Sequence, residues 1–482
     1  MSEFTPLTYD DIDEALRPSL REALVPVLAV VVFLGVGSGY LELAPHAPLL
    51  WSIVFAGLFA RYRLGYDWEG VYDAAAAGLR MGLQAILILF VIYGLIATWT
   101  SAGTIPGLMY YGLDALSPTV FLPVTAVLAG VVAFAIGSSW TTVGTLGVAF
   151  IGIGNGLGVS PAMTAGAIVS GAYAGDKQSP LSDTTNLAAA VTNTNLYDHI
   201  NAMRTGTAIA FGLSVLAYAV LGVFVVSDAG ANVATISGPL AESYALGAVV
   251  FLPLVVTFGL AVRGYPPLPS LVAGVFAGAF TTIVAQGASF TKAWDVFLNG
   301  TSPATGSELV DGLLTTGGIA GSAWTIAVVV AALALGGILE RTGILATLAH
   351  HLTAAVWSPG SLVAGTGVSA MVTNAFSAQQ YMSIVVPGMS LRNLYEEYGL
   401  EERDLSRAVE AAGTPTGPLF PWHAGAVYMA GVLGPAFATS WDFALYYFFG
   451  FLSPLVLFAM ALTGHGYSQT RAEADPAAPA DD

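Results

Sequence analysis

The chain has 482 residues, 55% of them hydrophobic and 9% charged, with a mean hydropathy of +0.73, no cysteine and a net charge of −17. Soluble domains carry about 25% charged residues, so this composition excludes a soluble globular protein and reads as an all-α polytopic membrane protein. The missing cysteines remove disulfides, thiol catalysis and thiolate metal sites, and the acidic balance disfavours nucleic acid as a partner.

The first residues are acidic (Asp10, Asp11, Asp13, Glu14). A secretory leader begins with positive charge, so none is expected. Arg17 and Arg21 precede the first apolar run, Ala23–Leu41, and Arg61, Arg63 and Arg80 flank the loop after the second span. The positive-inside rule then puts the N-terminus in the cytoplasm of a multi-pass protein of the cell membrane. Further uncharged runs follow at Met81–Leu113, Ala115–Gly175, Thr205–Ser227, Ser243–Val262, Gly264–Thr291, Gly312–Leu339, Thr342–Leu391, Ala411–Trp441 and Phe443–Thr470. A span needs about 20 apolar residues, which predicts ten to thirteen hydrophobic segments, some too short to cross. The 56 glycines and 25 prolines point to close helix packing and interrupted helices.

Two halves match weakly. Trp99-Thr100-Ser101-Ala102-Gly103-Thr104-Ile105-Pro106, then Ser117-Pro118, is similar to Glu340-Arg341-Thr342-Gly343-Ile344-Leu345, then Ser358-Pro359, at an offset of about 240 residues. Paired interrupted segments at matching places are a signature of repeat-built secondary transporters. The division predicted is a cytoplasmic tail over 1–21, one repeat over 22–226, a Gly/Ser/Asn linker over 227–239, a second repeat over 240–464, and an acidic, disordered tail over 465–482. Arg392 to Glu410 reads as a short helical excursion into water. The lysine-poor acidic surface would suit a halophile's salty cytoplasm.

The sharpest feature ends the longest uncharged run: Asp176-Lys177-Gln178-Ser179-Pro180-Leu181-Ser182-Asp183-Thr184-Thr185-Asn186. Pro180 cannot continue a helix, and a break exposes carbonyls beside Asp176, Ser179, Ser182, Asp183, Thr184, Thr185 and Asn186. Hard cations favour such oxygen-rich, flexible sites, so a Na+ site is expected at Asp183 and Thr184. A carboxylate at lipid depth is drawn toward the protonated form by desolvation and toward the charged form by a cation. One aspartate then takes a metal ion and a proton in turn. Asp183 is the first candidate; Asp176 is either neutralised by Lys177 or freed because Lys177 pairs elsewhere. The competing reading is a loop with ordinary helix caps.

Supporting polar groups are expected from Ser139, Thr141, Thr142 and Thr145 in the Gly137–Gly147 segment, with Asn155 a weaker contributor. In the second half they come from Asn374 and Gln379, and from Thr414 and His423 in a stretch with three prolines. Ser and Thr in membrane helices often only bond back to their own carbonyls, and a lone histidine is more often structural than a proton carrier. An inward-pointing Arg341 would attract an anion instead. No cofactor is expected, and the acidic metal cluster of an intramembrane enzyme is not found in the sequence.

With these residues in view, the chain resembles the NhaC family of sodium/proton antiporters over nearly its whole length. The carrying segments are Trp99 to Pro106, Gly137 to Gly147, Gly171 to Asn186, Gln380 to Gly388, Leu405-Ser406-Arg407 with Glu410, and Gly413 to Trp422. The resemblance implies exchange of Na+ (or Li+) for H+, two inverted structural repeats with re-entrant hairpins, and often a homodimer in the lipid bilayer. Two positions depart from the family pattern: His423-Ala424 stands where Asn-Thr is usual, and Gln379 where Asp or Asn is common. The alternative within transport is an organic-acid exchanger handling malate or lactate with H+ or Na+.

Overall fold

Helices account for every regular element longer than a single bridge among the residues described, which in this computed structural model are 8–467 without 10, 15, 225–228, 353–355, 435, 438 and 466. The first half contains α1 (Leu20–Leu34), α2 (His46–Tyr62), α3 (Trp68–Ser101), α4 (Thr104–Ala115), α5 (Pro118–Ile136), α6 (Ser139–Gly156), α7 (Pro161–Asp176), α8 (Asp183–Val191) and α9 (Leu196–Phe224). Then come α10 (Ala229–Ser243), α11 (Leu252–Val262), α12 (Pro267–Gln286), α13 (Phe290–Asn299), α14 (Glu308–Leu314) and α15 (Gly318–Gly321). The second half closes with α16 (Ala323–Arg341), α17 (Ile344–Leu352), α18 (Pro359–Ser377), α19 (Gln380–Ser390), α20 (Arg392–Glu397), α21 (Glu402–Ala412), α22 (Ala424–Leu433), α23 (Trp441–Ala444) and α24 (Phe448–Leu462).

Six of these helices are long and apolar enough to cross a membrane, and the pair Val233–Ser243 and Ala248–Val262, bent by 99°, makes a seventh if it is counted as one span. The other apolar runs are cut into shorter pieces. Ala115–Gly175, for example, is divided among α5, α6 and α7 because Gly137 and Pro161 interrupt it. Residues 229–239, read as linker, form the start of α10. The terminal residues 1–7 and 468–482 lie outside the described residues.

The breaks recur at matching places. The chain reverses at Gly103 (φ 81°) between α3 and α4, and 240 residues later at Gly343 (φ 75°) between α16 and α17. Gly137 (φ 72°) separates α5 from α6, and 241 residues later Ala378 (φ 54°) separates α18 from α19. Left-handed backbone ends a helix and redirects the chain, so the same device operates at both positions.

Helices in lipid gain little from apolar burial against one another and associate through close packing. The α5–α7 pair does so through glycine. A Cβ on Gly171 would lie 2.0 Å from the Ala126 carbonyl oxygen, and one on Gly175 2.0 Å from that of Gly130. These backbones touch, which fixes the end of α7, and therefore Asp176, against the end of α5.

Candidate functional site

Three interruptions meet at one place. At the first, Gly137 ends α5 in a left-handed conformation, and a Cβ there would lie 2.5 Å from the Leu181 carbonyl carbon. Only glycine lets the α5–α6 break lie on the α7–α8 break. Ser138 then caps α6, accepting from the Thr141 N–H at 3.2 Å.

Asp176 closes α7 and faces the start of α6. Its Oδ2 accepts from the Ser139 N–H at 3.0 Å and the Ser139 hydroxyl at 2.8 Å. A carboxylate at a helix N-terminus sits in the favourable end of the helix dipole. Its Oδ1 is buried without a hydrogen-bond partner, although buried polar atoms are nearly always paired.

Across the loop, Ser182 caps α8 and Asp183 opens it. The Asp183 Oδ1 accepts from the Thr184 N–H at 2.9 Å, and its Oδ2 accepts from the Tyr381 hydroxyl on α19. The third interruption, α18–α19, supplies Gln379, Gln380 and Tyr381. A cavity of about 60 Å³ lies between these groups, lined by Gln84, Ser138, Ser139, Asp176, Asp183 and Gln379 among others. Asp176 is 5% exposed at its floor, while Asp183 is exposed at its rim. A water needs about 10–15 Å³ of such space, so there is room for a small cation with part of its hydration shell.

Lys177 does not neutralise Asp176. It is 1% exposed, and its Nζ donates to the Glu410 carbonyl oxygen at 2.5 Å. Glu410, fully buried on α21, is the hub of a second polar cluster. Its Oε2 lies 2.7 Å from His199 Nε2, and its Oε1 accepts from the hydroxyls of Thr184 (3.1 Å) and Thr185 (3.3 Å). His199 Nδ1 is 2.9 Å from the Ser406 hydroxyl. The segment 392–410, read as an amphipathic excursion into water, is corrected in its second part: Glu396, Glu397 and Glu402 are exposed, but Asp404, Arg407 and Glu410 are buried because α21 packs among other helices.

Of the residues singled out in the sequence, Ser139, Asp176, Asp183 and Gln379 line the cavity. Thr184 and Thr185 face Glu410 instead. Asn186 braces the loop, donating to the carbonyls of Pro180 (2.9 Å) and Ser182 (2.7 Å), and the Ser179 hydroxyl accepts from the Leu181 N–H at 3.2 Å. Ser182 Oγ lies 3.1 Å from the Thr184 hydroxyl. Thr142 and Thr145 bond back to carbonyls of their own helix, whereas the Thr141 hydroxyl is buried without a partner.

In the second half, Asn374 donates to the Gly413 carbonyl at 2.7 Å, and Thr414 donates to that of Glu410 at 3.1 Å. His423 caps α22: its Nδ1 accepts from the Gly425 N–H at 3.0 Å, and its Nε2 is 2.8 Å from Asn374 Oδ1. Arg341 pairs with Glu340 at 3.2 Å and does not line the cavity. The sequence reading passed over His199, and it named Ser138, Tyr381 and Glu410 only within motifs. A histidine and a glutamate flanking uncharged runs were the available signal.

Broken helices that present carboxylates to an internal cavity, in a helical protein with several apolar spans, define a secondary transporter. The Na+/H+ antiporter family model matches residues 20–176 and 171–465, and the chain belongs to that family. It is 49% identical over 468 residues to the arginine/ornithine antiporter ArcD of Halobacterium salinarum, covering 96% of each chain. It is 36% identical to the Na+/H+ antiporter NhaC of Alkalihalophilus pseudofirmus, covering 90% of this chain and 93% of that one. Identity to the malate-2H+/Na+-lactate antiporter of Bacillus subtilis is 34%, over 86% of this chain and 89% of that one. The NhaC resemblance is thus borne out, and the chain is a multi-pass membrane antiporter, not an enzyme.

Proposed function

We propose that this antiporter exchanges Na+ (or Li+) for H+ at the Asp176–Asp183 cavity. The observation that supports this most directly is the buried, unpartnered Oδ1 of Asp176 at the cavity floor, with a second carboxylate at the rim. Asp176 rather than Asp183 then becomes the principal ligand, because both Asp183 oxygens already accept hydrogen bonds. An unpaired carboxylate oxygen in a cavity is satisfied equally by a hard cation or by a proton, and it does not hold both. That competition is the exchange.

A second reading, that the cargo is an organic cation, draws on the 49% identity to the arginine/ornithine antiporter. A guanidinium or ammonium group would replace Na+ at the same carboxylates. The larger cavity of about 1260 Å³, whose lining includes Glu42 and Asp442 but no Lys, Arg or His, suits such a solute. The absence of an arginine in the small cavity speaks against the organic-acid alternative.

The two halves, 22–226 and 240–464, are read as inverted repeats on the strength of their matched breaks, with the N-terminus cytoplasmic on the strength of the arginine distribution.

The deciding experiment reconstitutes the protein in vesicles containing a pH-sensitive dye and adds Na+, Li+, K+, arginine, ornithine, malate or lactate singly. Proton movement on Na+ alone supports the first reading. Flux only with arginine and ornithine on opposite sides replaces it with the second. A requirement for malate or lactate removes both.

A further inference from the structure

The small and large cavities lie end to end along the same helices. On α3, Gln84, Ala85 and Ile88 line the small cavity, and Tyr93 and Ile96 the large one. On α6, Ser139 and Trp140 line the small cavity, and Val148, Ile151 and Asn155 the large one. At 1.5 Å per residue, Ile88 and Tyr93 are about 8 Å apart along their helix, and Trp140 and Val148 about 12 Å. Little more than one layer of side chains separates the two spaces.

That layer centres on Tyr428. Its ring lies on the Trp140 indole with centroids 4.4 Å apart and planes inclined by 21°. Its hydroxyl donates to the Trp140 carbonyl oxygen at 2.6 Å. A Cβ on Gly144 would lie 2.4 Å from the Ile92 Cδ1 and 2.5 Å from the Tyr428 hydroxyl. Glycine at 144 therefore makes room for Ile92 and Tyr428 to fill the gap between α3, α6 and α22. One half-turn further along α22, Ala430 and Gly431 already face the large cavity.

We propose that Tyr428, lying on Trp140, closes the carboxylate site off from the large cavity, and that moving it off the indole joins the two spaces. The proposal rests on the Asp176–Asp183 cavity as the transport site. An exchanger open to both sides at once would leak its gradient, so one side must be sealed whenever the other is open. A flat aromatic pair seals well, and the polar tie that holds the buried Tyr428 ring on the indole is a single hydrogen bond, a modest interaction. A cation crossing the large cavity toward Tyr428 meets two acids and no base among the lining residues.

The test exploits a chain without native cysteine. Asn155→Cys reports on the large cavity and Ile88→Cys on the small one. In membrane vesicles of one orientation, an impermeant thiol reagent is added from the side that labels Asn155→Cys. With Tyr428 present, Ile88→Cys should react slowly from that side. Tyr428→Ala should speed the reaction about tenfold or more, from loss of both stack and hydrogen bond. Tyr428→Phe, which keeps the ring, should speed it about threefold. Tyr428→Ala should also turn exchange into a Na+ leak that needs no counter-ion.

Equal labelling of Ile88→Cys in all three backgrounds overturns the proposal. If the alanine variant does not fold, an unchanged rate in Tyr428→Phe overturns it alone. Failure of the site reading has a different appearance: Asp176→Asn would transport normally while the labelling contrast persists.

Discussion

The α7–α8 and α21–α22 breaks stand at the same point in their halves but treat the polar groups freed there in opposite ways. In the second, the freed groups are absorbed internally. Asn374 takes the Gly413 carbonyl, Thr416 bonds those of Ala412 and Gly413, the Trp422 indole donates to Ala375, and His423 caps α22. In the first, the loop carbonyls are likewise bound by Asn186, but Asp176 keeps an oxygen for the cavity. A broken membrane helix is therefore not itself a binding site. On the proposed reading it becomes one where a charged group is left over after the backbone has been satisfied.

This contrast can be broken by experiment, beginning with the largest effect. Asp176→Asn keeps the size of the side chain and removes its charge, and should cost about 3 kcal/mol of cation binding, roughly a hundredfold. Sodium-dependent quenching of an imposed pH gradient in proteoliposomes measures it, and near-normal exchange would refute the site. Glu410→Ala strands buried His199, Thr184 and Thr185 and should lower stability by about 3 kcal/mol. Thermal unfolding of the detergent-solubilised protein reads this, and Glu410→Gln should recover part of the loss.

Asp183→Asn, at the rim, should weaken exchange by about 2 kcal/mol, a factor of about 30, through loss of a charged acceptor for Tyr381. A larger defect than that of Asp176→Asn would reverse the order of the two carboxylates. The smallest effect sharpens the comparison from the other side. His423→Asn keeps a cap for α22 but gives up the buried contact with Asn374, and should lower stability by about 1 kcal/mol. Its pH profile of exchange should match that of the parent, and a shifted profile would give His423 a part in proton handling.

Much of the candidate site was legible because it is local. Asp176, Pro180 and Asp183 lie within eight residues, so the break and its carboxylates are visible as one string. The matched break points were legible too, since Gly103 and Gly343 keep their role in each half. Glu410 was misread as solvated because a charge-rich helical stretch between apolar runs usually is. Only the packing of α21 against α8 and α9 brings it to His199 and Thr184. Tyr381 stood within a motif, but its pairing with Asp183, 198 residues away, was invisible for the same reason.

By itself the sequence determined that the chain lives in a membrane, where its helices break and which carboxylates stand beside a break, because hydropathy, proline and glycine act on their own neighbourhoods. Only the tertiary structure decided which oxygen stays unpaired, where Lys177 goes, and that Tyr428 lies on Trp140. Those outcomes depend on hydrogen bonds and contacts between helices hundreds of residues apart, and no local rule sets the partner a buried group will find.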